Sequence, residues 1–492
     1  MTAHLPVLIV VIPLLAAIVT PLLARLSPRV SRGLTIGALA AALTGAIGAL
    51  SRVLAEGTWR YQLGGWAPPW GIEYVIDPLS GGMAVLVSFF ALVVSIYAGP
   101  HLERISPARA GIVDGLFLLL TAGLLGMVVT GDLFNLYVFL EISSLSAYAL
   151  LSSGGNRAVL ATFRYLLVGT IGASFYLLGV GYLYALTGAL TMSEVHTAVD
   201  ATASSSVFAV GVALMVAGLA IKTALFPLHG WLPDVYTYAP APVTGFISAV
   251  MTKVSIYALF RILYFVLDAR GAAGQALVLL GWAAALAVVA GSVMALAQTD
   301  IRRMLAYSSV SQMGYILLGL SLANPMAVTG ALLHLLNHAT MKACLFLVVG
   351  GVRWRTGVSD IAGFAGMGRR LPLTMAAFSV AALSMVGLPP LSGFFSKWYL
   401  VLGAIEEGAW PFVLALILSS LLSAVYFFRV IERAYFAPPP TPDRATGPGD
   451  RSTEIPGRML GPILVLAAVV SLLGIFNQTV VVYVIERALP AF

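Results

Sequence analysis

Residues 212–234 read VALMVAGLAIKTALFPLHGWLPD. The stretch begins as an apolar run of bilayer-spanning character, with Lys222 set inside it and Pro227 interrupting it before Leu228 and His229. A cation inside a spanning helix costs at least a few kcal/mol and is tolerated where it faces a partner or water. The rest of the chain sharpens the oddity. Lys222, Lys253, Lys342 and Lys397 are the only lysines, and all four lie in apolar segments, while the loops use arginine. Buried ammonium groups repeated in this way point to a proton path held in lipid by the other helices.

Composition fixes the class. Of 492 residues, 60% are hydrophobic and 10% charged, against roughly 25% charged in soluble domains. The chain is an all-α polytopic membrane protein. Its net charge of +7 is no nucleic-acid signal, because the arginines gather at helix ends. Cys344 is the one cysteine and lies in an apolar run, which excludes a disulfide framework and a thiolate metal cluster. The N-terminal run has no basic residues before it and reads as a retained first helix. Glycine-rich phosphate loops and flavin fingerprints are missing, so no cofactor is expected.

At about 20 apolar residues per span, the chain divides into about fourteen segments. They run over 4–24, 33–54, 78–99, 111–130, 132–152, 161–187, 206–226, 241–266, 273–297, 303–321, 326–350, 371–405, 410–434 and 459–484. The twelfth is too long for one straight helix and contains Pro389-Pro390, so it reads as broken. Arginines concentrate on one side, at Arg25, Arg29, Arg32, Arg353, Arg355, Arg429, Arg433, Arg444, Arg451 and their like; Arg52, Arg60, Arg270 and Arg487 lie on the other, with Arg261 near them. The bias places both termini on the non-cytoplasmic side of the cell inner (plasma) membrane. Residues 55–77 read as an outer hairpin with Trp66 and Trp70 at the interface, and residues 437–457 as a flexible Pro- and Gly-rich loop.

Two broken helices, LAIKTALFPLHGWLP and SMVGLPPLSGFFSKWYL, fall in corresponding positions of two blocks. That is the signature of an inverted-repeat transporter. The expected organisation is 1–110 for helices one to three, 111–266 and 273–434 for two inverted five-helix repeats, and 435–492 for a cytoplasmic loop and last helix.

The chemistry-bearing residues follow from depth. Glu141 stands mid-span in GDLFNLYVFLEISSLSAYALL; its alternatives are a neutral buried acid or one bonded to Ser143 and Ser144. Lys222 is its expected partner. Pairing favours both charged forms, and separation lets the lysine release its proton. Lys253 lies deep in its helix, with Ser255 and Tyr257 to line a wet face. His334, His338 and Lys342 recur every four residues and so share a helix face. Metal ligation by the histidines lacks an acidic or cysteine partner nearby; a proton relay or a structural polar stripe remains. Lys397 follows the second break and reads as the far end of the path and the counterpart of Lys222. His229 and Asp234 mark a possible inner entrance, with capping the alternative for Asp234. Asp300 reads as a surface partner of Arg302 or Arg303.

These motifs resemble a known family. FPLHGWLPD (226–234), APAPVTGFISAVMTK (239–253), LAYSSVSQMGYILLG (305–319), HLLNHATMKACLFL (334–347) and GLPPLSGFFSKW (387–398) are similar to the antiporter-like subunits of respiratory complex I and of Mrp cation/proton antiporters, most of all the Mrp D subunit. The likeness covers roughly residues 70–435. It implies fourteen helices, and a hydrated axis matching Glu141, Lys222, Lys253, His334 with His338, and Lys397. It further implies a proton-translocating subunit of a hetero-oligomeric Na+/H+ antiporter, with no catalytic centre of its own and protons and monovalent cations as cargo. The alternative is a proton-pumping subunit of a complex I-like NADH:quinone oxidoreductase or membrane-bound hydrogenase.

Overall fold

The computed structural model describes residues 4–438 and 454–490. Most of the 437–457 loop, with Arg444 and Arg451, lies outside the described residues. Eleven helices are long and apolar enough to cross a membrane. Six of them open the chain: α1 (Leu5–Leu26), α2 (Pro28–Glu56), α3 (Pro78–Leu102), α4 (Pro107–Val129), α5 (Leu133–Ser152) and α6 (Asn156–Thr187). A hairpin of β1 (Trp59–Gln62) and β2 (Glu73–Ile76) pairs antiparallel between α2 and α3, where the 55–77 segment was expected to fold back.

α7 (Met192–Thr202) is a short helix with no counterpart among the expected segments. It is too polar and short to span, so a search for spanning runs passes over it. α8 (Ser206–Lys222) ends four residues before the expected 226, because the chain turns at the Pro227 break. After α9 (Leu232–Tyr238) come α10 (Ala241–Val266), α11 (Gly274–Leu296), α12 (Ile301–Ser321) and α13 (Pro325–Thr356). The twelfth segment is broken as expected, into α14 (Pro372–Val386) and α15 (Ser392–Glu406), before α16 (Trp410–Tyr435) and α17 (Gly457–Ile475). The expected fourteen spans thus comprise the eleven long apolar helices, α8 with its break, the serine-rich α12, and the α14–α15 pair.

Polar caps set several helix starts. The Asp77, Asp132, Asp300 and Asn324 side chains accept from backbone N–H groups three residues on, at 2.9, 2.6, 3.0 and 2.7 Å. Asp300 is therefore the cap of α12 and not the surface ion-pair partner expected. The Arg302 guanidinium turns inward to the Ala239 carbonyl (2.5 Å) and Thr244 Oγ1 (3.0 Å). Arg261 is likewise buried, its guanidinium paired with the Asp77 carboxylate.

The two five-span blocks pack alike. In the first, α4 approaches α5 so closely that a Cβ on Gly123 would come 2.8 Å from the Ser143 nitrogen. In the second, a Cβ on Gly291 of α11 would come 2.5 Å from the Ser311 nitrogen of α12. Both pairs need glycine for the same close approach. The molecule's centre is formed by α10 and α13, whose spanning windows are 100% and 94% buried. Leu160 and Leu178 of α6, Leu279 and Leu286 of α11, and Leu414 and Leu421 of α16 face outward, as suits contact with lipid.

Candidate proton path

Lys222 is the last residue of α8, and its ammonium is buried. The carbonyl-rich C-terminal end of a half-helix favours a cation there. The Lys222 Nζ donates to Ser144 Oγ at 2.8 Å and stands 3.5 Å from Tyr148 Oη. It lies 4.0 Å from Glu141 Oε1, the outer limit of an ion pair. Ser144, expected as a partner of Glu141, thus serves Lys222, while Ser143 donates to the Leu140 carbonyl at 2.8 Å. Glu141 Oε1 is itself buried without a hydrogen-bond partner among the described residues. The pair is in contact yet loose, the arrangement a switch requires.

The break is held from below. Trp231 Nε1 donates to the Ile221 carbonyl at 3.0 Å, and its ring stacks on Tyr165 with centroids 3.8 Å apart. One residue before Lys222, the Ile221 carbonyl accepts from the indole as well as from the Ala224 N–H at 3.1 Å. His229 stacks on Phe226 at 5.1 Å and faces Tyr307 at 6.3 Å. Asp234 is bridged by two arginines, Arg164 at 3.3 Å and Arg303 at 3.2 Å. It ties α6 to α12 beside the break.

Lys253 sits in α10 between two π-helical turns, Ile247–Met251 and Arg261–Val266. Such turns leave a carbonyl out of the regular ladder, and the fully buried Lys253 ammonium donates to the Ser248 carbonyl. Ser255 and Tyr257 do not line its surroundings as expected. Ser255 donates to the Met251 carbonyl at 3.2 Å; Tyr257 donates to the Val128 carbonyl at 2.6 Å and accepts from Arg261. No hydrogen bond or ion pair among the described residues joins Lys222 to Lys253.

The second cluster gathers on α13. The His334 and His338 rings are parallel within 4°, centroids 6.0 Å apart. Gln312 Oε1 (2.7 Å) and Ser396 Oγ (2.8 Å) hold the two nitrogens of His334. With the Gln312 oxygen toward the ring, Nε2 donates and Nδ1 accepts from the Ser396 hydroxyl. Both nitrogens of His338 lack hydrogen-bond partners among the described residues. Lys342 donates to the Leu305 carbonyl at 2.7 Å and to Ser308. Lys253, Lys342 and Lys397 all stand close enough to act electrostatically on His338. Three of the four lysines and both histidines therefore form one cluster.

Lys397 reaches back across the second break. Its Nζ donates to the carbonyls of Met385 (2.8 Å) and Val386 (3.1 Å), the last residues of α14, and to Ser420 Oγ (2.8 Å). The sequence placed it as the counterpart of Lys222, but the chain positions differ. Pro227-Leu-His-Gly matches Pro390-Leu-Ser-Gly, so Lys222 precedes its break and Lys397 follows its own. The likeness lies in the ammonium groups, both at the C-terminal end of the first half-helix. Gly387 makes the approach possible: its φ of 95° suits glycine, and a Cβ there would come 3.1 Å from the Lys397 side chain. Asn337 Nδ2 pins the break by donating to the Ser392 carbonyl at 2.8 Å. Beside Lys397 lies a largely apolar, partly open recess of about 150 Å3 lined by Tyr315, Leu416 and Ser420 among others.

Sequence reasoning assigned Ser144 to the wrong partner and missed Tyr148, Gln312, Ser308, Ser396 and Ser420. Only Gln312 left a signal, as an amide in the middle of an otherwise spanning helix.

Comparison with known proteins bears on this arrangement. Residues 130–423 match the family described as NADH:quinone oxidoreductase/Mrp antiporter, transmembrane. The chain is 56% identical over 497 residues to the N subunit of the NADH-quinone oxidoreductase of Desulforudis audaxviator (strain MP104C), covering 100% of this chain and 99% of that protein. It is 29% identical over 440 residues to the D subunit of the Na(+)/H(+) antiporter of Bacillus subtilis (strain 168), covering 89% and 87%. A chain of the Mrp complex from Dietzia sp. DQ12-45-1b superposes with a TM-score of 0.89 at 27% identity, covering 99% of this chain and 97% of that one. A chain of the membrane-bound sulfane sulfur reductase, an archaeal respiratory membrane complex, does so with a TM-score of 0.89 at 33% identity, covering 98% and 96%. The match over the region holding Glu141, the four lysines and both histidines, with the fold around them, places the chain in the NADH:quinone oxidoreductase/Mrp antiporter transmembrane family.

Proposed function

We propose that this chain is the proton-translocating subunit of a redox-driven, complex I-like respiratory assembly. Two supports carry the reading: the loose pair of partly exposed Glu141 and buried Lys222, with the group of Lys253, His338, His334, Lys342 and Lys397 beyond it, and the 56% likeness to a quinone oxidoreductase subunit over the whole chain. That likeness exceeds the 29% likeness to the antiporter D subunit, so the redox-driven reading stands ahead of the Na+/H+ antiport expected from the sequence.

In this reading the electrons move in partner subunits, and this chain supplies the proton path. Together, Glu141 and Lys222 support each other's charge. When a partner's rearrangement separates them, the ammonium keeps only neutral partners and passes its proton inward through the membrane-depth cluster. His229 and Asp234 lie at the proposed inner entrance, below the α8 break. The assembly sits in the cell inner membrane with both termini of this chain on the non-cytoplasmic side.

A second reading, proton flow coupled to Na+ export in an Mrp-type complex, is favoured by the TM-score of 0.89 against the Mrp chain. One experiment separates the two. Proton movement is followed in membrane vesicles holding the assembled complex, once with an electron donor and quinone supplied and once with an imposed Na+ gradient, and the co-purifying subunits are identified. Proton uptake driven by electron flow, with redox subunits attached, supports the first reading. Uptake driven only by Na+ overturns it in favour of the second.

A further inference from the structure

Beside the histidines runs a line of buried hydroxyls that the path above leaves unused. Where α11, α12 and α16 meet, Ser292, Ser311 and Ser419 form a closed triangle. Their Oγ atoms lie 3.0 Å (Ser292 to Ser311), 2.7 Å (Ser292 to Ser419) and 3.1 Å (Ser311 to Ser419) apart. Ser292, Ser311 and Ser419 are all 0% exposed. Serines in a spanning helix ordinarily satisfy themselves on their own helix carbonyls, as Ser144 and Ser309 do here. Here three hydroxyls from three helices meet one another, and Ser311 also donates to the Val288 carbonyl of α11 at 2.9 Å.

The line continues both ways. The Tyr315 hydroxyl, donating to the Leu416 carbonyl at 2.7 Å, borders Ser419 and Ser420. Ser420 accepts from the Lys397 ammonium at 2.8 Å. In the other direction, Ser311 is one turn of α12 from Ser308, which accepts from the Lys342 ammonium. Residues three apart on a helix are surface neighbours. Hydroxyl-bearing side chains thus lead from one buried lysine to the other by way of α12 and α16.

We propose that these hydroxyls are a second proton route between Lys342 and Lys397, parallel to the one through His338 and His334. The proposal rests on the proton-translocation reading above. A hydroxyl carries one hydrogen and two lone pairs, so it accepts a proton on one side as it gives its own on the other. The Lys342 ammonium gives a proton to Ser308. Each hydroxyl passes one on, and Ser420 delivers the last to a neutral Lys397 amine. One proton moves in total, Lys342 ends neutral and Lys397 charged, and each hydroxyl then rotates back. Both routes must break hydrogen bonds to turn over: His334 is held at both nitrogens by Gln312 and Ser396, while Ser308 and Ser311 each free their one hydrogen from a single carbonyl, Leu305 and Val288.

The test uses the assembled complex in inverted membrane vesicles, with proton uptake read by a pH-sensitive dye and the amount of complex measured in each preparation. The variants are Ser311→Ala with Ser419→Ala, His338→Gln, and all three together; Ser419→Thr, which keeps the hydroxyl, is the control. Parallel routes predict that either set alone lowers uptake about two- to threefold, that the triple variant lowers it more than about tenfold, and that Ser419→Thr stays near the unaltered rate. The route is overturned if the serine pair leaves both the native and the His338→Gln rates unchanged, or if His338→Gln alone abolishes uptake. Lys397→Ala separates this failure from that of the parent reading: near-normal uptake in that variant removes the proton path itself, whereas lost uptake with silent serines removes only the second route.

Discussion

Replacing Glu141 by Gln keeps the shape of the side chain and removes its charge. At the observed 4.0 Å from Lys222 Nζ, two unit charges interact by about 4 kcal/mol at an effective dielectric near 20. The Glu141 side chain is 25% exposed, and screening by solvent roughly halves this, to about 2 kcal/mol. The substitution therefore withdraws about 2 kcal/mol of support for the Lys222 ammonium, roughly thirtyfold in the balance between its charged and neutral forms. Ser144 and Tyr148 remain as partners, so the lysine is weakened and not stranded. The assay is proton uptake by vesicles carrying equal amounts of native and variant complex. Uptake is expected to fall at least about tenfold in Glu141→Gln and about twofold in Glu141→Asp, which keeps the charge one methylene short. Uptake within twofold of native in Glu141→Gln would refute the switch, because it would show that the pair's Coulomb energy does not gate the proton.

Other outcomes follow from particular contacts. Ser144→Ala removes the nearest neutral acceptor of Lys222, about 1 to 3 kcal/mol for a charged donor left short of a partner, and is expected to lower uptake severalfold with unchanged assembly. Trp231→Phe removes one of two donors to the Ile221 carbonyl, leaving the Ala224 N–H at 3.1 Å; the amount of extractable complex is expected to drop on mild heating, by about 1 kcal/mol of stability or less. Asp234→Asn weakens two largely exposed arginine contacts, whose contribution to stability is under about 1 kcal/mol each, so assembly is expected to hold while proton entry, measured as the initial uptake rate, falls severalfold. Gly291→Val places a Cβ 2.5 Å from the Ser311 nitrogen; overpacking of this kind costs about 1 to 3 kcal/mol or more, and loss of assembled complex is the expected readout.

The lysines were legible because a charge inside an apolar run has no inexpensive explanation, and their burial agrees with that reasoning: Lys222, Lys253 and Lys342 are 3% exposed or less, and Lys397 8%. The breaks at Pro227 and Pro389-Pro390 were legible for a related reason, since proline removes a helical donor. Less was visible in α10. A π turn adds one residue to a continuous apolar run and leaves no compositional mark, so the turn that presents the Ser248 carbonyl to Lys253 emerged only from the fold. Hydroxyls were silent as well. Serine is common in spanning helices, and nothing in the sequence separates Ser309, which bonds its own helix, from Ser311, which meets Ser292 and Ser419. Asp300 and Arg302 were misread because adjacent opposite charges suggest a pair, whereas the helix start claimed the carboxylate and the interior claimed the guanidinium. The equivalence of Lys222 and Lys397 was legible as chemistry but not as register, since an ammonium on a long side chain reaches the same helix end from either side of a break.

The central claim is that the buried axis carries the protons that electron flow drives. It is tested most directly by electron-driven proton uptake in vesicles holding the native complex, the Lys222→Ala complex and the Lys397→Glu complex, each with its electron-transfer rate measured in parallel. The account predicts that Lys222→Ala loses most of its uptake while electron transfer continues in the partner subunits, and that Lys397→Glu, which keeps a titratable group at the far end, retains a substantial part. Proton uptake at the native ratio to electron transfer in Lys222→Ala would contradict it.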